Sequence, residues 1–142
     1  MNSNVNRYVD KARLARKFGP MLQRVNLRYS TVVNDYVPGI KIVVQKNGHF
    51  YDRIVDRACS EDITIKNVEY LVNRLVNEHL CELLFLKTVH PNKQFACYKC
   101  VTGGNIAVGF TMPPSSELII SLRTFIRDHR LTTTDSILIE IK

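Results

Sequence analysis

Between residues 65 and 80 the apolar side chains Ile65, Val68, Leu71, Val72, Leu75, Val76 and Leu80 recur at steps of one, three or four residues. On a backbone of 3.6 residues per turn this spacing gathers them into one broad stripe. A helix carrying such a stripe has to bury it against a second layer. The flanking sequence supplies strands for that layer. Residues 40–45 are a β-branched run, Asn47-Gly48 suits the positive φ values of a tight turn, and 49–55 follow it, which predicts a β-hairpin. The runs 83–89, 94–101 and 106–111 are separated by His90-Pro91-Asn92-Lys93 and by Gly103-Gly104-Asn105, both turn-forming, and read as a three-stranded meander.

Pro113-Pro114 closes the meander. Ser115 or Ser116 then caps an expected helix carrying Leu118, Ile119, Leu122, Phe125 and Ile126, with Arg127, His129 and Arg130 at its negative carboxyl end. Ile137, Ile139 and Ile141 alternate as a strand returning to the sheet. Near the amino terminus Tyr8, Ala12, Ala15, Phe18, Leu22, Val25 and Tyr29 mark an amphipathic helical segment, which Gly19-Pro20 divides into two helices with Pro20 opening the second. The pattern predicts an α+β fold over residues 1–142 as a single domain. It pairs a mostly antiparallel sheet of about six strands with basic amino-terminal helices (1–30) and places a central and a carboxyl-terminal helix within the 38–142 core.

A chain of 142 residues, 45% of them hydrophobic, can bury a core without disulfides or metal. The polar start Met1-Asn2-Ser3-Asn4 offers no apolar stretch of signal-peptide length, so a cytoplasmic or nuclear, non-secreted protein with no membrane partner is expected. Its cysteines (Cys59, Cys81, Cys97, Cys100) would then stay as thiols. The net charge of +7 is unevenly spread: residues 1–30 hold seven basic side chains and one acid, a net of +6, leaving +1 for the rest.

Clustered cations of this kind lower the free energy of contact with phosphates by releasing condensed counterions. Arg13, Arg16, Lys17, Arg24 and Arg28 are the candidate nucleic-acid-binding set, with DNA and RNA both open; Tyr8 and Tyr29 could stack on bases or serve the core. The same face could instead stay solvated or meet acidic surface on its own or another subunit. A second reading is therefore a protein-interaction or structural subunit of a larger assembly, viral or ribonucleoprotein included. In it the basic helices contact an acidic partner and strand edges pair between copies as a homo-oligomer.

Cys97-x-x-Cys100 has the spacing of a zinc knuckle or a redox dithiol, with His79 and Cys81, or His90, as further zinc ligands. Inside a strand, however, residues three apart face opposite sides, which favours structural thiols and no cofactor. The histidines show no catalytic spacing, and there is no phosphate-binding glycine loop, H-E-x-x-H or G-x-S-x-G. No catalytic residue is nominated. Asp52 and Asp56 would share a face only if their segment were helical, which the expected hairpin opposes.

Overall fold

A computed structural model of the chain describes residues 3–36, 40–56, 61–90, 93–102, 104–128 and 137–142. In chain order these form α1 (Ser3–Tyr36), β1 (Ile42–Lys46), α2 (Phe50–Asp56), α3 (Glu61–Val89), β2 (Gln94–Val101), β3 (Gly104–Thr111), β4 (Leu118–Asp128) and β5 (Ile137–Glu140). The strands make one five-stranded sheet in the order β1-β4-β3-β2-β5. β2, β3 and β4 are antiparallel neighbours, whereas β1 lies parallel to β4 and β5 parallel to β2. The α+β class expected from the sequence is the class observed, but the sheet is mixed and has five strands rather than about six.

Side chains alternate across a strand, and one face of the sheet presents Ile42, Val44, Phe95, Cys97, Val108, Phe110, Leu118, Ile120, Leu122, Phe125 and Ile139, all buried. Against that face pack Leu14, Phe18, Met21, Val25 and Tyr29 of α1, Phe50, Tyr51 and Ile54 of α2, and Val68, Leu71, Leu75 and Leu83 of α3, forming one cluster. Each large side chain contributes roughly 1.5–3 kcal/mol through burial. The rings of Phe18 and Phe50 meet edge to face at 5.4 Å, fixing α1 on α2.

α1 runs unbroken through Pro20 instead of dividing there. Proline removes one backbone hydrogen bond and costs about 3 kcal/mol in a helix interior. Gly19 relieves part of this, having no Cβ to collide with the proline ring, and the buried Phe18 and Met21 hold the helix in line on either side. The expected hairpin at 40–55 is also replaced, because Asn47 launches a helix. Its Oδ1 accepts the His49 N–H at 2.9 Å, and its own N–H donates to the Leu122 carbonyl at 2.8 Å. The 83–89 segment is the second half of α3, not a strand: the helix continues past a kink at His79 (φ −127°, ψ 23°) and buries Leu83 and Leu86.

The helix expected around residues 118–126 is strand β4. Its pairing with β3 steps from Gly109↔Thr124 to Phe110↔Leu122, leaving Arg123 as the extra residue of a bulge. The expected strands at 94–101 and 106–111 are present as the β2–β3 hairpin, and β5 returns beside β2. β1 sits at one edge of the sheet, where Asn26 of α1 covers it: Nδ2 donates to the Val44 carbonyl at 2.9 Å and Oδ1 accepts the Val44 N–H at 2.7 Å. A side chain thus supplies the ladder bonds a further strand would have made. None of the described helices is long and apolar enough to cross a membrane.

Candidate functional site

At 100° per residue the buried residues Leu14, Phe18, Met21, Val25 and Tyr29 define the inner face of α1, and Arg7 and Lys11 prolong the same line towards the amino terminus. These two cations consequently face α2 of their own chain. Lys11 Nζ lies 3.1 Å and Arg7 Nη1 3.4 Å from Asp52 Oδ1, and Arg7 Nη2 pairs with Asp56. Lys11, reinforced by Arg7, holds the Asp52 carboxyl below the usual carboxylate range. The helical conformation of α2 is what puts Asp52 and Asp56 on one face.

All five residues singled out by charge, Arg13, Arg16, Lys17, Arg24 and Arg28, are exposed. Helical geometry sets Arg13, Lys17, Arg24 and Arg28 along the flank of α1 and Arg16 further round, in line with the exposed Val9 and Leu27. Arg13 Nη2 donates to Asp10 Oδ1 at 2.9 Å. Arg24 forms a fork on Glu69 of α3, with Nε to Oε2 at 2.9 Å and Nη2 to Oε1 at 2.8 Å. Arg24 first, then Arg28 from the next turn, draw the Glu69 carboxyl below its ordinary range.

Of the two tyrosines considered for stacking, Tyr8 is 75% exposed, whereas Tyr29 is buried and its hydroxyl donates to Asn73 Oδ1 at 2.6 Å. Burial raises the Tyr29 phenol above its usual range, partly countered by Arg28. Tyr29 is a core residue with a polar tether.

β2 places Cys97 in the core and leaves Cys100 exposed. Burial pushes the Cys97 thiol up to about 12, which suits an inert core residue and not a nucleophile. His79 sits at the α3 kink with Nδ1 2.8 Å from Glu82 Oε1, and Cys81 is exposed. His90 directly follows α3, its N–H donating to the Leu86 carbonyl. Among the described residues no three His, Cys, Asp or Glu side chains are placed to hold a metal ion. Cys59 and His129 lie outside the described residues.

One concave feature lies elsewhere, a groove of about 360 Å³ between Cys81, Glu82, Phe85 and Leu86 of α3 and the edge strand β5. Phe85 and Leu138 on its rim are 62% and 46% exposed. Periodicity did not disclose it, since 83–89 reads equally as a strand. The Glu69 partner of Arg24 was also missed, because nothing in the sequence links residues 24 and 69. The inner role of Arg7 and Lys11 is visible in retrospect: positions 7, 11, 14, 18, 21, 25 and 29 form a single stripe in which the first two members are charged. Set against family models, curated proteins and solved structures, the chain matches none of them.

Proposed function

We propose that the chain is a non-enzymatic nucleic-acid-associated protein that grips backbone phosphates with Arg13, Arg16, Lys17, Arg24 and Arg28, the sheet and the other helices serving as scaffold. The observation that carries this reading is the division of labour along α1. Arg7 and Lys11, on the inner line, are turned to the acids of α2, while these five all point outward and remain exposed, Arg13 and Arg24 included although they also meet Asp10 and Glu69. From Arg13 to Arg28 the helix rises about 22 Å, the axial length of on the order of six phosphates of one strand. Arginine forks match phosphate oxygens in pairs.

The test is binding to labelled single- and double-stranded DNA and RNA across a salt series. Affinity is expected to fall steeply with salt, with a logarithmic slope of about −3.5 on single strands and about −4.5 on duplex DNA, and to depend little on sequence. It should disappear when the five residues are changed to Gln. Absence of binding at low salt would overturn the reading. One observation favours a protein-interaction subunit instead, namely the apolar groove beside β5 with Phe85 and Leu138 exposed. Stable oligomers without nucleic acid would support that alternative.

A further inference from the structure

The fork between Arg24 and Glu69 is the arrangement a guanidinium makes with a phosphate. The carboxylate supplies two oxygens at 2.8 and 2.9 Å from Nη2 and Nε. It belongs to α3, not to α1, and is presented from a different position in the fold to the flank of α1 that carries Arg13, Lys17, Arg24 and Arg28. The Glu69 side chain is 21% exposed and its Arg24 partner 51%. The acid is thus held by the body of the protein while the cation stands half in solvent.

We propose that Glu69 is a built-in competitor for the phosphate site on α1, occupying Arg24 until a nucleic-acid phosphate displaces it. This rests on the nucleic-acid reading above. Arg24 stands half in solvent, which screens the pair, and a phosphodiester offers it the same paired acceptor, so the exchange replaces one fork by another. After displacement the Glu69 carboxylate, 21% exposed, remains open to solvent and within the field of Arg28. Glu69 therefore lowers affinity for any polyanion without touching it, and raises the salt at which contact is lost once it is removed.

The experiment compares wild type, Glu69→Gln, Glu140→Gln and the double variant Arg24→Gln/Glu69→Gln. The probe is a labelled single-stranded oligonucleotide of about twenty nucleotides, a length that exceeds the span of the basic flank. Glu140→Gln changes net charge identically but on the exposed β5, and far-UV circular dichroism checks that each variant is folded. Glu69→Gln is expected to bind about three- to fivefold more tightly than Glu140→Gln at roughly 0.1 M salt, with the same salt slope, because Arg24 reaches a phosphate in both complexes. The double variant should lose that gain. Equal affinities for Glu69→Gln and Glu140→Gln overturn the competitor role. If wild type still binds, only that role falls; if no variant binds, the nucleic-acid reading falls with it.

Discussion

Asp52 is the residue on which the two amino-terminal helices turn, since it takes Lys11 and Arg7 from α1 and lies 3.8 Å from His49 Nδ1. Its carboxyl is held below the ordinary range by Lys11 first and Arg7 second, desolvation opposing both. A depressed folded-state pKa contributes stability above the unfolded value of about 3.9 and loses it as pH falls through the folded value. Wild type should therefore unfold at a higher temperature than Asp52→Asn at pH 7. The gap should hold down to about pH 5 and close at more acid pH as the wild-type carboxylate is protonated. Thermal unfolding of both proteins across a pH series checks this, and a gap that persists unchanged at pH 2 would refute it. Raising the ionic strength should narrow the gap at pH 7, because the partners are partly exposed and screened.

At the scale of elements, α1 carries an internal proline that its packing tolerates but its backbone does not need. Pro20 is exposed, so Pro20→Ala restores a backbone donor without disturbing the core and should stabilise the protein by about 1–3 kcal/mol, seen as a raised midpoint in urea. Apart from its chain neighbours and the backbone of its own helix, a Cβ at Gly19 would meet no atom within 4 Å. Gly19→Ala should therefore add about 0.5–1 kcal/mol in the Pro20→Ala background but much less beside the native proline, whose ring crowds a preceding Cβ. Additive effects would show that Gly19 does not serve the proline. The same helix shows what was legible beforehand: its existence and basic outer face follow from spacing and charge, its continuity through Pro20 does not. β4 was misread for a local reason. The core-facing set runs Leu118, Ile120, Leu122 and then, past the bulge at Arg123, Phe125; with the apolar Ile119 and Ile126 on the other face, positions 118, 119, 122, 125 and 126 imitate a helix. Asn47-Gly48 misled similarly, since the asparagine that favours a tight turn also caps a helix.

Across the whole molecule, the sheet is closed by its most distant pairings in sequence, Ile42 with Leu118 between β1 and β4, and Phe95 with Ile137 between β2 and β5. Such pairings depend on tertiary closure and leave no local signature, which is why an antiparallel meander was the simplest reading of the chain. The core they complete is continuous: residues of all three helices and of every strand belong to one cluster. No element can leave without exposing apolar surface of another, so unfolding should be a single cooperative transition. Cys97 supplies an internal probe. It is buried on β2, paired in register with Ile139 of the short edge strand β5, and its thiol is pushed up to about 12. Under native conditions Cys81 and Cys100, both exposed, should be alkylated readily and Cys97 should not. With rising urea, Cys97 labelling should follow the same midpoint as loss of helical circular dichroism. Labelling of Cys97 well before helix loss would mean that β5 opens as a separate unit and that the core is less unified than its packing implies.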